Sequence, residues 1–354
     1  MKIGIDVRKL KDYGIGTHIQ NVILPAIQMD DQNQYVLFCS PHDLQKDLHN
    51  ATWVAESSSK YSVREHYSLA KRAKDQNVDL FHSPHYTLPL ALKKPAIVTV
   101  HDLIQFKFPQ YYPAWKVRAG SFVLKRVLEK ADVVLTVSQT SKKDIVEAFP
   151  FTESKIQVVY NRLSPDWIKA SSSVDLSSLG IEKDFILYVG NFKRHKGVEI
   201  LLDAFHTLKD PPQLVLAGKP DQTESELIEK CFATPRVRVL GFAEGKLLRS
   251  LYANAMLFVF PSMYEGFGYP PLEAMSCGTA VLSSDAPALC EILGDSVEFF
   301  QRGSVESLAE KLEILVHDLQ RLSHLRSKGP GKAKEYMTDQ SPRQLLAIYQ
   351  RFVR

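Results

Sequence analysis

Short runs of β-branched and aromatic residues recur along this chain, separated by longer stretches whose apolar positions return every three or four residues. In the first half KIGIDV (2–7), YVLFC (35–39), VDLFH (78–82), AIVTV (96–100), DVVLTV (132–137) and IQVVY (156–160) read as strands. The rhythm restarts with FILYV (185–189), QLVLA (213–217), VRVL (237–240), MLFVF (256–260), TAVLS (279–283) and VEFF (297–300). Amphipathic stretches such as SKKDIVEAF (141–149) lie between them. Strands alternating with helices imply parallel sheets covered on both faces. The polar, serine-rich ASSSVDLSSLG (170–180) separates the two series and reads as a linker. Beyond about Ser304 the pattern is helical. It ends in SPRQLLAIYQRFVR, with Ser341 expected as the N-cap and Pro342 at the first helical position.

At 354 residues the chain exceeds what one hydrophobic core usually supports, so two domains are expected. With 45% hydrophobic and 24% charged residues the composition is that of a soluble globular protein, and no apolar run reaches the length of a membrane span. The opening MKIGIDVRKL places Asp6 and Arg8 where an export signal needs its apolar core. Cys39, Cys231, Cys277 and Cys290 have no paired spacing, which argues against a zinc site or a disulfide framework. Both features point to a cytoplasmic location. Net charge is +4, but residues 1–165 carry 22 Lys/Arg against 16 Asp/Glu, and the remainder 22 against 24. The first half is therefore the part expected to meet something anionic. Within it KVRAGSFVLKRVLEK (116–130) reads as a basic helix. Either it lies on an anionic bilayer, at the inner membrane face, or it is a solvated face on a core-packed helix. Nothing resembles a nucleic-acid-binding module.

In sheets of this kind ligands bind beyond the carboxyl ends of strands, and several chemistry-bearing segments sit there. KDYGIGTHIQN follows the first strand with Gly14 and Gly16, which suit either a plain tight turn or close approach of an anion to backbone N–H groups. A dinucleotide fingerprint would want a further glycine where Ile19 stands. In VTVHDL, His101 and Asp102 follow a buried strand; such a histidine can donate a hydrogen bond or act as acid or base near neutral pH. In VGNFKRHKGVEILLDAF, Lys193, Arg194, His195 and Lys196 precede a helix beginning near Gly197. Fixed cations beside a helix N-terminus form a cradle for a diphosphate.

The segment YEGFGYPPLEAM (264–275) carries two carboxylates, Glu265 and Glu273, around a Gly-Phe-Gly-Tyr-Pro-Pro run. Glu265 falls just past strand 256–260. Gly266, Phe267, Gly268 and Tyr269 offer backbone N–H groups beside a helix start. A glutamate at Glu273 would ordinarily complete a capping box. With Pro270 as the N-cap there is no N–H to reach, which frees Glu273 for a ligand. One carboxylate near the anion and one a helical turn inside suit a sugar hydroxyl and a ribose. The chain has no Walker loop, metal-type Asp-x-Asp, His-Glu-x-x-His or Gly-x-Ser-x-Gly. A metal-free site, with basic side chains and helix dipoles stabilising a departing phosphate, is therefore expected.

The ordered set of Gly-x-Gly after strand one, VSQTSKKDI, YVGN…HKGVEILLDAF and PSMYEGFGYPPLEAMSCGTAVLSSD resembles the retaining glycosyltransferases of family four, over nearly the whole chain. FHSPHYTLPL and HDLIQFKFPQYYP resemble its bacterial mannosyl- and glucosyltransferase branch. The resemblance implies the α/β GT-B fold, two Rossmann-like doubly wound parallel-sheet domains facing a cleft. It implies an acceptor domain (1–168), a linker (169–181), a nucleotide-sugar donor domain (182–338) and a helix (339–354) crossing back to the first domain. It also implies that Glu265 binds a donor-sugar hydroxyl and Glu273 the ribose, with the amides of Phe267 to Tyr269 and of Gly16 on the diphosphate. Lys196 would neutralise that diphosphate, His101 would meet the donor sugar, and Gly218, Gly241 and Phe242 would flank the base. Many members carry arginine where this chain has Asn191, so Arg194 or His195 is expected to supply that charge. The donor expected first is GDP-mannose and second UDP-glucose, as substrate rather than cofactor. The acceptor would be a glycan, a lipid-linked sugar or a small molecule. Competing expectations are a nucleotide-sugar epimerase or a sugar phosphorylase on the same fold, or a non-catalytic nucleotide-sugar binder.

Overall fold

The computed structural model describes residues 1–44, 48–60, 62–168, 174–219 and 224–353. The chain divides into two compact units, Met1–Arg162 with Thr338–Arg354, and Leu163–Met337. Residues 169–173 of the serine-rich stretch lie outside the described residues; Ser177–Leu179, near its end, form one 3-10 turn within the second unit.

The first unit is built on seven parallel strands, β1 (Lys2–Asp6), β2 (Gln34–Cys39), β3 (Ala51–Ala55), β4 (Leu80–Ser83), β5 (Ala96–Thr99), β6 (Val133–Thr136) and β7 (Ile156–Val158), in the order β3-β2-β1-β4-β5-β6-β7. One face buries Ile3, Ile5, Val22 and Ile23 together with Leu345 and Ile348 of the last helix. The other buries Phe38, Phe81, Val98, Leu124 and Leu128. Each such side chain, removed from water, contributes about 1.5–3 kcal/mol. The last helix, Gln340–Gln350, is anchored to this unit by the Tyr349 hydroxyl, 2.7 Å from His82 Nδ1. Its N-cap is Asp339 rather than Ser341, so Pro342 sits at the third helical position, where its missing N–H is still one of the unpaired ones.

The second unit has six parallel strands, β8 (Ile186–Val189), β9 (Leu214–Ala217), β10 (Val237–Gly241), β11 (Leu257–Phe260), β12 (Ala280–Ser284) and β13 (Glu298–Phe300), ordered β10-β9-β8-β11-β12-β13. All the strands read from the sequence are present. β3 is additional: it is an edge strand, only partly buried, and its ATWVA lacks the continuous apolar run of a central parallel strand. In each sheet the strand order reverses once, between β1 and β4 and between β8 and β11. Ligand sites of doubly wound sheets lie at the carboxyl ends beside such a reversal. No helix among the described residues is long and apolar enough to cross a membrane.

Candidate active site

The reversal in the second unit brings the loop after β8 against the loop after β11. Tyr188, fully buried, donates its hydroxyl to the Asn191 carbonyl (2.7 Å) and fixes the turn that leaves β8. Further on, the His195 carbonyl accepts from the Met263 N–H (2.7 Å) and the Ser262 hydroxyl (3.3 Å). These bonds hold the short 3-10 turn Arg194–Lys196 on the end of β11. Lys196 Nζ consequently meets Glu265 Oε1 at 2.6 Å, with both side chains less than one-fifth exposed, and lies 5.9 Å over the Phe260 ring.

The other two basic candidates are not brought to Glu265. Arg194 turns its guanidinium to Glu224, 3.1 Å away, with most of its side chain in solvent. Burial and the neighbouring Lys196 and Lys193 push the His195 imidazole down to about 3, so it is neutral at any working pH. The expectation that His195 supplies a charge in place of an arginine at Asn191 is thus corrected, and Lys196 is the cation facing the carboxylate. Asn191 instead accepts from the Lys193 N–H at 3.4 Å.

Beyond Glu265 the chain enters the helix Tyr269–Ser276, whose N-cap is Gly268 and not Pro270. Gly268 has φ +101°, and a Cβ there would press on Leu289, so the turn demands glycine. Pro270 and Pro271 at the second and third helical positions delete two of the N–H groups a helix start normally presents. Among the described residues the amides of Phe267, Gly268 and Tyr269 have no protein partner. Unpaired N–H groups beside the positive end of a helix can bind an anion. The Phe267 ring is buried edge-on against Tyr269 (5.3 Å) and Tyr336 (5.5 Å), which fixes the backbone that carries the amides.

Glu273 falls at the fifth helical position, too far in for a capping box, so its freedom from that role has a different cause from the one expected. Its Oε2 accepts from the Tyr252 hydroxyl at 3.0 Å, and Oε1 has no protein partner among the described residues. Desolvation pushes the carboxyl up to about 7, and the Tyr252 hydrogen bond restrains that rise. Sequence reasoning missed Tyr252, which is fully buried and held edge-on by Trp167 (5.7 Å) and Phe258 (5.4 Å). At the ends of β8, β9 and β10 the backbone is bare. Gly218 donates to the Gly241 carbonyl at 2.6 Å, and a Cβ on Gly218 would overlap the Gly190 carbonyl. Phe242, directly after β10, is 61% exposed.

In the first unit the Gly14–Gly16 segment is helical from Tyr13 on, so it is not a loop ahead of a helix. The Gly16 N–H already donates to the Asp12 carbonyl at 2.8 Å, which corrects the expectation that it holds an anion. Glycine is needed there because a Cβ would overlap the Leu10 carbonyl, whereas a Cβ at Gly14 meets nothing within 4 Å. His101 Nε2 lies 2.9 Å from the Pro84 carbonyl, which can only accept, so the ring proton is on Nε2 and Nδ1 is an acceptor with no protein partner among the described residues. Burial pushes this histidine down to about 4. It offers a lone pair and is no acid near neutral pH.

Around His101 the structure gathers groups that sequence reasoning missed. His18 is edge-on at 5.0 Å, with Nδ1 2.7 Å from Asn161 Oδ1, and His82 lies 2.9 Å from the Thr99 hydroxyl. Nearby Asp6, Arg8 and Glu65 form a buried ion-pair cluster, and Lys60 takes both oxygens of Asp12 (2.7 and 2.8 Å). Lys9 is buried, and desolvation lowers its ammonium to about 8. The charged run after strand one, VRKLKD, was the signal available for this cluster.

Known proteins resemble this chain over both units. Residues 14–167 match the family model described as Glycosyltransferase Family 4, and residues 177–332 that described as Glycosyl transferases group 1. The chain is 30% identical over 281 residues to the O-antigen chain mannosyltransferase B of Escherichia coli, covering 76% of this chain and 74% of that protein. It is 31% identical over 233 residues to the O-antigen chain mannosyltransferase RfbU of Salmonella typhimurium, covering 64% of this chain and 62% of that one. The crystal structure of Anabaena Alr3699/HepE in complex with UDP-glucose superposes with a TM-score of 0.78 over 99% of each chain at 19% identity, a likeness of fold. The two Rossmann-like units are the GT-B architecture, and the chain belongs to the family-four, group-1 glycosyltransferases.

Proposed function

We propose that this enzyme moves a hexose from a nucleotide-diphosphate sugar to a glycan, lipid-linked or small-molecule acceptor, with retention and without a metal. The observation that carries the reading is the Lys196–Glu265 pair at 2.6 Å, next in sequence to the amides of Phe267 to Tyr269, which have no protein partner among the described residues. A diphosphate on those amides places its leaving charge beside Lys196. Glu265 then accepts from a hydroxyl of the sugar being transferred, and Glu273 Oε1 accepts from the ribose. Phe242 and the bare backbone at Gly218 and Gly241 flank the base. The second unit is thus the donor domain and the first the acceptor domain, in which His101 Nδ1 accepts from a sugar hydroxyl. Departing phosphate oxygen takes the acceptor proton on the front face, so no separate base is required, and the fixed cation and helix dipole stabilise the transition state.

Mannose is the first choice of sugar and GDP the first nucleotide, in keeping with the mannosyltransferase relatives; UDP-glucose is second. A thermal-shift panel of GDP-, UDP-, ADP- and dTDP-sugars tests this, because a ligand bound only by the native state raises the melting temperature with its affinity. GDP-mannose giving the largest rise supports the choice, and no rise with any nucleotide sugar overturns the donor-site reading.

The acceptor is presented at an anionic membrane surface. The helix Ala114–Lys130 exposes Trp115 (68%) and Phe122 (62%) on one side, with Lys116 and Arg126 stacked against those rings. Exposed aromatics flanked by cations suit a lipid headgroup region. Flotation with phosphatidylglycerol vesicles that is lost in the W115E/F122E double variant supports this contact; equal flotation of the variant refutes it.

A further inference from the structure

Tyr13 is held in a backbone conformation that tyrosine rarely adopts. Its φ is +31°, in the left-handed region that favours glycine. Among the described residues Asn77, Asp184, Asp210 and Arg236 are the other non-glycine residues there. Short polar Asn and Asp side chains tolerate that region through local hydrogen bonds. Arg236 is tied down, donating to the Pro211 carbonyl and to Glu182, each at 2.8 Å. Tyr13 has neither reason. It is 62% exposed, and among the described residues no hydrogen bond, ion pair or ring contact holds its side chain.

The backbone around Tyr13 is pinned on both sides. The Asp12 N–H donates to the Lys9 carbonyl (2.9 Å), and Lys60 holds both oxygens of the Asp12 carboxylate. From the other side the Gly16 N–H and the Thr17 hydroxyl return to the carbonyls of Asp12 (2.8 Å) and Tyr13 (3.0 Å). Strain of this kind persists only where the surroundings over-determine it, and it concentrates at ligand sites. The place in the fold agrees. Tyr13 stands where the chain leaving the carboxyl end of β1 enters the first helix, at the strand that flanks the β1–β4 reversal. Gly14 follows it, and a Cβ there would meet nothing within 4 Å, so the surface next in the chain to this ring is clear.

The chemistry of the ring defines the occupant. An exposed phenol offers a flat face that is negative at its centre, and the weakly positive C–H face of a sugar ring lies well on it. Its hydroxyl adds one donor and one acceptor for a sugar hydroxyl. The negative face does not attract a phosphate or a carboxylate. A lipid surface calls for a contiguous apolar patch, whereas the chain neighbours Lys11, Asp12 and Gly14 are charged or bare. We propose that Tyr13 is the platform on which a pyranose ring of the acceptor stacks, held in place by its pinned backbone before the acceptor arrives. The proposal rests on the reading of the first unit as the acceptor domain.

The test uses ligand-observed saturation-transfer NMR on the full chain with methyl α-mannoside, α-glucoside, α-galactoside and N-acetyl-α-glucosaminide as probes. Melting temperature and the thermal response to nucleotide sugars are followed in parallel. At least one glycoside is expected to bind the wild type, with saturation strongest at its ring C–H protons. Y13N removes the ring and accepts the left-handed backbone, so Tm should hold or rise while glycoside affinity falls about fivefold or more, the scale of one aromatic face contact. Y13F keeps the ring and should bind within about twofold of the wild type. Both variants should keep the wild-type response to nucleotide sugars. The proposal is overturned if no glycoside binds the wild type, if Y13N binds as well as the wild type, if Y13F loses as much as Y13N, or if Y13N lowers Tm. A wild type that responds to no nucleotide sugar would instead sink the glycosyltransferase donor reading, so the two failures are distinguishable.

Discussion

Lys196 Nζ and Glu265 Oε1 lie 2.6 Å apart across 69 residues of sequence, on the loops that follow two strands neighbouring each other at the sheet's reversal. In the proposed function the leaving phosphate and the sugar come together at this pair. K196A and E265A are each expected to lower kcat/KM by about 10²–10³-fold or more, the scale of removing a preorganised electrostatic group. Nucleoside-diphosphate release measures the loss, and an unchanged circular-dichroism spectrum shows the fold intact. Full activity in either purified variant would sink the site assignment.

Donor affinity is expected to depend on pH through Glu273, whose carboxyl is raised to about 7. The groups facing it are Tyr252 and Tyr269, with Cys277 close by and Arg249 beside that thiol. Only the ionised form presents acceptors on both oxygens, so affinity falls as pH drops through about 7. Y252F removes the hydrogen bond that restrains the shift, so its midpoint moves to higher pH and affinity recovers in alkaline buffer. A calorimetric titration of donor from pH 6 to 9 reads both. A pH-independent affinity in the wild type would contradict the role of Glu273.

The same shift has a stability consequence. Because the folded pKa of Glu273 lies above the ordinary glutamate value, the native state holds a proton that the unfolded chain has lost between about pH 4.5 and 7. Stability contributed by this group is therefore lost as pH rises through that window. E273Q should be more stable than the wild type at pH 8, by up to about 3 kcal/mol and less as water reaches the half-buried group. It should also bind the donor more weakly. Denaturant melts at pH 5 and pH 8 test the sign, with the gain confined to the higher pH.

His101 is expected to leave no limb near pH 6.5 in the pH–rate profile, since burial keeps it neutral down to about 4. H101F, which keeps the ring volume and removes the Nδ1 acceptor, should lower kcat by about 10-fold or more. A wild-type limb near pH 6.5 that disappears in H101F would contradict the neutral-acceptor role.

Gly14 and Gly16 look equivalent in the sequence and are not. G14A has open space and a helical backbone, and should be neutral or stabilising by up to about 1 kcal/mol. G16A drives a methyl into the Leu10 carbonyl and should cost about 2 kcal/mol or more. Thermal melts of the two variants measure the difference; equal stabilities would contradict the close approach.

What could be read in advance followed from periodicity. Central parallel strands are continuous apolar runs, so every one of them was legible, while the half-exposed edge strand Ala51–Ala55 was not. The geometry of the candidate site was legible where chemistry and chain neighbourhood coincide, as at Glu265 and the Phe267–Tyr269 backbone. It was illegible where the fold decides between equals. Among Arg194, His195 and Lys196 nothing local says which one turns to Glu265; the bonds from Met263 and Ser262 to the His195 carbonyl do. Likewise Tyr252 reaches Glu273 only because two helices of the second unit pack together. The cap of the Tyr269–Ser276 helix was misplaced by two residues, since prolines mark a helix start but not which position in it they occupy.

The most direct measurement is proton NMR of the purified enzyme turning over GDP-mannose, and then UDP-glucose, with an alkyl hexoside acceptor in EDTA. Nucleoside diphosphate should accumulate as a glycoside forms with the same anomeric configuration as the donor, and neither should form with E265A. A product of inverted configuration, a requirement for added metal, or no turnover of any nucleotide sugar would contradict the account.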